Sequence, residues 1–279
     1  MKTYKLIISI LFLTFTLLSC EEVIEIDLNS ANPKFVIEGI VTNQTGPYSV
    51  KISKTIDFYK PGTYPQVAGA NVIISDDKGN EEILEEITAG LYRTKSLLGV
   101  IGNTYKLKIT IDNEEFQANS LLLEPMLIDS LSFEFQKATG GIGGGGMHGG
   151  SGESYMLHCH FKDKPGTKDY AILKVYKNDT ILDKNFLYDG KFTDGSKVDF
   201  NRFGGRFDKG DRIRVELITV DKPSFEFFST MNNAISDVAK GPGGFMQTGT
   251  PANPNSNISN KALGVFSAVS ISTDTIVVK

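Results

Sequence analysis

All three histidines of this 279-residue chain fall between His148 and His160. His158 and His160 are two residues apart, and on a β-strand that spacing puts both imidazoles on one face with Cys159 on the other. Two imidazoles so placed can share a metal ion, and the nearby thioethers of Met147 and Met156 bias such a site toward a soft ion such as copper. Metal sites usually hold their ion with three or four placed ligands. The spacing supplies no third, so His148, His158 and His160 are the candidate ligands while the expected protein carries no resident cofactor. Cys159 reads as a buried strand residue rather than a reactive thiol.

The chain's other cysteine sits in a different chemical context. Lys2 and Lys5 precede a largely apolar run from Leu6 to Leu18, and Leu17-Leu18-Ser19-Cys20 sets a small residue directly before a cysteine. That order is a signal peptide ending in a lipobox, in which the Cys20 thiol forms the thioether to diacylglycerol and becomes the first mature residue. The run stops against Glu21 and Glu22 and is shorter than the roughly 20 apolar residues a transmembrane helix needs. Each buried acyl methylene contributes about 0.8 kcal/mol, so a diacylated or triacylated cysteine holds a protein to a membrane durably. With Cys20 acylated, Cys159 has no partner for an intramolecular disulfide, and the body must be held by its core.

Catalytic patterns are missing. The sequence contains no G-x-S-x-G elbow and no H-E-x-x-H helix, and the acidic pair Asp76-Asp77 falls in a predicted turn. The glycine-rich stretch from Gly140 to Gly152 lacks the Lys-Ser or Lys-Thr ending of a phosphate loop. Losing Lys2 and Lys5 with the leader leaves 27 basic residues against 33 acidic, a net charge of −6 that disfavours nucleic acid. Binding rather than turnover is therefore the expectation.

The elements that must position these residues read as β-strands. Tyr48, Val50 and Ile52 alternate with polar residues, as do Tyr105, Leu107, Ile109 and Ile111; later runs repeat the pattern at Leu131, Phe133 and Phe135, at Ala171, Leu173 and Val175, and at Ile213, Val215 and Leu217. Asp76 to Asn80 and Asp112-Asn113 carry turn chemistry between such runs. One segment switches period: Asp221 can cap, Pro223 suits a first turn, Phe225, Phe228, Met231, Ile235 and Val238 recur at helical spacing, and Gly241-Pro242 ends the run. The predicted fold is mainly β, an N-terminal immunoglobulin-like β-sandwich followed by a second antiparallel β-rich domain with one amphipathic helix. The expected divisions are a signal peptide over 1–19, a lipidated tether over 20–32, the sandwich over 33–124, and a C-terminal domain with glycine-rich loops over 125–279.

Several short motifs in fixed order carry a resemblance. They are Cys20 to Ile26 after the lipobox, Phe35-Val36-Ile37-Glu38-Gly39, Leu127-Ile128-Asp129-Ser130-Leu131, and Asn257-Ile258 followed by Leu263-Gly264-Val265-Phe266-Ser267-Ala268. Together they resemble the uncharacterised outer-membrane lipoproteins of the domain-of-unknown-function 4249 family. The resemblance implies a lipid-anchored outer-membrane protein of Gram-negative bacteria, at the cell surface, with a TonB-dependent receptor as partner and no activity to carry over. It also implies that Glu21 and Glu22 act as a surface-export signal. Asp129-Ser130-Leu131, Asp179-Thr180-Ile181 and Asp274-Thr275-Ile276 match a glycosylation pattern of exported proteins in such bacteria, which makes Ser130, Thr180 and Thr275 candidate acceptors. The leading expectation is an accessory or ligand-capturing partner of a TonB-dependent uptake receptor; an envelope-assembly lipoprotein and a surface glycan hydrolase are the alternatives.

Overall fold

Apolar side chains at every second position bury one face of a strand, and that alternation sets most of this molecule. A computed structural model describes residues 33–56, 62–136, 154–182, 185–201, 203, 207–239 and 253–279. The first strands are β1 (Phe35–Thr42), β2 (Ser49–Lys54), β3 (Asn71–Asp76), β4 (Glu81–Ile83), β5 (Glu85–Thr88), β6 (Leu91–Arg93), β7 (Thr104–Ile111) and β8 (Glu114–Leu121). β9 (Ile128–Gln136), β10 (Ser154–Lys162), β11 (Tyr170–Lys177), β12 (Thr180–Ile181), β13 (Phe186–Asp189), β14 (Lys197–Phe200) and β15 (Arg212–Val220) follow, then a helix α1 (Lys222–Ala239) and a last strand β16 (Leu263–Val277). The protein is mainly β with one α-helix among the described residues. None of its described helices is long and apolar enough to cross a membrane.

The predicted alternations appear as burial. Val50 and Ile52 on β2 and Tyr105, Leu107, Ile109 and Ile111 on β7 point inward, and they meet Val72, Ile74 and Phe116 in one core. This core lies between the sheet β4-β3-β7-β8 and the β1-β2-β6-β5 part of a nine-stranded sheet, a sandwich-like arrangement. Asp112 and Asn113 take positive φ values of 49° and 64°, as a two-residue hairpin between β7 and β8 requires.

A second core joins the sheet β14-β10-β9 to the inner faces of β11 and β15, through Leu131, Leu157, Cys159, Phe161, Leu173, Val175, Val215 and Leu217. Glu124-Pro125, the expected joint, lies between β8 and β9. The nine-stranded sheet nonetheless runs on across it. β16 pairs antiparallel with β15 on one side and parallel with β1 on the other. The β1 pair is the one parallel ladder among the described strands, where antiparallel sheet was expected. Its partners come from opposite ends of the chain, so no hairpin dictates their direction. From Gly264 to Ser270 β16 is buried on both faces, matching the nearly unbroken apolar run there.

The second covering face belongs to α1. Asp221 caps it, accepting from Ser224 N at 3.0 Å, and its other carboxylate oxygen accepts from Ser120 Oγ at 2.8 Å, which ties the helix start to β8. Phe225 and Phe228 pack over Tyr170, Ile172, Ile218, Val220 and Val269 in a third apolar cluster. The predicted stripe ends sooner than its period suggests, because Ile235 is 60% exposed.

Candidate functional site

β10 lies between β9 and β14, and its alternation decides which groups reach solvent. Leu157, Cys159 and Phe161 turn into the second core, so His158 and His160 project from the outer face. Burial pushes the Cys159 thiol up to about 12, consistent with a structural residue rather than a nucleophile. In register, His160 stands directly opposite Asp199 of β14 and opposite Ser130 of β9, while His158 stands opposite Ser132.

This pairing gathers three polar side chains, Asp199, Ser132 and Glu134, around the two imidazoles, whose rings stack with centroids 6.0 Å apart. Asp199 Oδ1 lies 2.8 Å from His158 Nδ1 and 3.7 Å from His160 Nδ1. The far nitrogens face β9: His160 Nε2 is 2.9 Å from Ser132 Oγ, and His158 Nε2 is 3.4 Å from Glu134 Oε2. The second contact is close enough for ion pairing but off the line of a hydrogen bond, so His158 Nε2 has no hydrogen-bond partner although its side chain is only 12% exposed. One ligand atom each from His158, His160 and Asp199 falls within 4.8 Å of the others, a set that could hold a metal ion. A hollow of about 330 Å³ opens beside it, lined by Asp129, Ser130, His160, Lys197 and Asp199 among others.

Part of this cluster is visible in the residue spacing alone. Both strand histidines share a face as their spacing requires, but Asp199 and Glu134 are supplied by cross-strand register, which no local pattern encodes. Met156, on the same strand, accepts a hydrogen bond at its sulfur from Gln136. His148, Cys20, Glu21 and Glu22 lie outside the described residues. Ser130, Thr180 and Thr275 are exposed on β9, β12 and β16 and do not come together.

A second feature is a groove of about 510 Å³ beside α1, on the outer face of the nine-stranded sheet. Phe227, Phe228 and Met231 form its wall, and Ile40, Ile172, Ile218, Val220, Val265 and Val269 contribute from β1, β11, β15 and β16. The helix covers β11 and β15 but leaves Ile40 of β1 40% exposed. Glu38, Lys51 and Lys174 bring charge to an otherwise apolar surface.

A third grouping is internal. Asp163 follows β10 and Asp169 precedes β11, and both are buried. Asp169 is held by Lys164 N and Thr167 Oγ1, each at 3.1 Å, while Asp163 Oδ2 accepts from Thr193 Oγ1 at 2.9 Å and Asp163 Oδ1 has no hydrogen-bond partner. Burial, foremost, and the Asp169 carboxylate within hydrogen-bonding reach hold the Asp163 carboxyl above its usual range.

Residues 21–275 match a family model described as Domain of unknown function (DUF4249). Neither the curated proteins nor the solved structures contain a match to the chain.

Proposed function

The chain belongs to the Domain of unknown function (DUF4249) family, and from that premise we propose that it is a surface-exposed outer-membrane lipoprotein, anchored through Cys20, that serves a TonB-dependent uptake receptor as an accessory or ligand-capturing partner. It acts by binding. The observation that carries this reading is the groove beside α1, whose volume of about 510 Å³ lies in the range of small-ligand sites. Its apolar walls favour association by area removed from water, and Glu38, Lys51 and Lys174 can fix the orientation of what enters. The leader and lipobox supply the location, and the acidic pair Glu21-Glu22 supplies the signal for the outer face.

Crosslinking in intact cells tests the groove. A photoreactive residue at Ile40, on the exposed floor, should give an adduct with a receptor-class outer-membrane barrel or with its ligand, whereas the same probe at Lys106, exposed on the outer face of the opposite sheet, should not. Equal yields at the two positions, or none at Ile40, would count against the groove as the binding surface.

A further inference from the structure

We propose that His158, His160 and Asp199 form a binding site for a divalent cation of the zinc class, joining β14 to β10 at the solvent face of the second core. The proposal stands apart from the receptor reading and rests on three observations.

The first is the ligand spacing. Tetrahedral zinc with bonds of about 2.0–2.1 Å keeps its ligand atoms about 3.3 Å apart. The two contacts of Asp199 Oδ1, 2.8 Å to His158 Nδ1 and 3.7 Å to His160 Nδ1, bracket that separation, and one ligand atom from each of the three residues lies within 4.8 Å of the others, so side-chain rotation closing the set around an ion would seat it.

The second is the shell behind the ligands. A metal-bound imidazole carries its proton on the nitrogen away from the metal and donates it to a carboxylate, hydroxyl or carbonyl, which fixes ring orientation. Here the rear nitrogen of His160 is hydrogen-bonded to Ser132 Oγ at 2.9 Å, and the rear nitrogen of His158 lies 3.4 Å from Glu134 Oε2, a carboxylate within reach but not aligned as a hydrogen bond. Both groups come from β9, so that strand orients the His160 ring and sets a carboxylate beside the His158 ring.

The third is the donor set itself. Two imidazoles and one carboxylate suit zinc better than the cuprous ion that a thioether would favour, and the Met156 sulfur is hydrogen-bonded by Gln136. Three protein ligands leave a fourth position open for water or for a donor atom of an incoming molecule. The hollow beside His160 and Asp199, with the Lys197 ammonium among its lining groups, gives such a molecule room.

The test is zinc uptake by the full-length lipidated chain in detergent, stripped with a chelator and titrated with zinc chloride against a chromophoric competitor. Wild type should take up one zinc per chain, and calcium should not displace it. Asp199→Asn should weaken binding at least tenfold, and Ser132→Ala by about tenfold through the loss of ring orientation. His148→Ala should bind as wild type does, which separates this site from the third histidine. Circular dichroism of each variant distinguishes a lost ligand from a lost fold. Failure of wild type to bind zinc, which does not depend on any variant folding, would overturn the proposal; so would undiminished binding by a folded His158→Ala/His160→Ala double variant.

Discussion

Gly39 and Phe266, from opposite ends of the chain, pair across the parallel ladder of β1 and β16, and a Cβ at Gly39 would stand 2.8 Å from Phe266 Cδ2. The Phe266 ring is wholly buried and has little room to retreat. Asn257 brackets the same residue, accepting from Phe266 N at 3.0 Å and donating to Phe266 O at 2.7 Å. Two positions earlier, Gly264 has a φ of 97°, and a Cβ there would lie 2.0 Å from Ile37 O. Three of the short motifs that mark the family are thus one packed unit, in which glycine is needed for close approach.

Gly39→Ala should therefore destabilise the protein by about 1–3 kcal/mol, the usual range for overpacking a core. Phe266→Leu in the same chain should recover part of that loss, since the clash is with the ring. Urea unfolding of the two single variants and the double variant measures the coupling. Additive losses would mean that Gly39 is not there to admit the ring.

Asp163 gives the stability a sign with pH. Its carboxyl keeps a proton in the folded protein above the pH at which the unfolded chain releases it, about 4. The native state then binds more protons than the unfolded state, so this contribution is complete below that pH, is lost as pH rises through the raised value, and stays lost beyond it. Asp163→Asn replaces the carboxyl with an amide whose hydrogens can face Asp169 and keeps an oxygen for Thr193 Oγ1. The variant should be more stable than wild type at neutral pH, by roughly 1–3 kcal/mol, the penalty of a buried polar group without its partner. Its melting temperature should also vary less between about pH 4 and 7. An unchanged pH profile would contradict the assignment of the proton to Asp163.

The proposed lipid anchor at Cys20 makes its own prediction. Cys20→Ser removes the acylation site, so the precursor should not mature to the wild-type length, should not label with palmitate, and should lose stable membrane attachment. Replacing Glu21 and Glu22 with Ala should leave acylation intact and shift the chain to the periplasmic face, read as protection from protease added to intact cells. Palmitate labelling of the serine variant would contradict the lipobox, and unchanged protease access would contradict the export role.

The strands were legible wherever one face is buried and the other wet: the alternating runs of β2, β7, β11 and β15 are visible in the residues themselves because pleating forces period two. The helix from Lys222 to Ala239 was legible for the same reason at a longer period, with Asp221 and Pro223 marking its start. The order of strands was not. β16 joins β1 and β15 through contacts more than two hundred and about fifty residues away, and only long-range packing chooses such partners. The same limit applies to the metal cluster. His158 and His160 announce themselves by spacing, but Asp199 lies on a strand whose register with β10 is fixed by Phe161, Val198 and Phe200, not by any pattern around the histidines.

The central claim is partnership with a receptor, and isolating the lipidated protein from gently solubilised outer membranes tests it most directly. The wild-type chain, captured through a tag at its C-terminus and analysed by mass spectrometry, should bring down a TonB-dependent barrel in near-stoichiometric amount, and a Met231→Asp change in the groove wall should reduce that recovery. Wild-type protein that is acylated, folded and recovered without any such barrel would contradict the account.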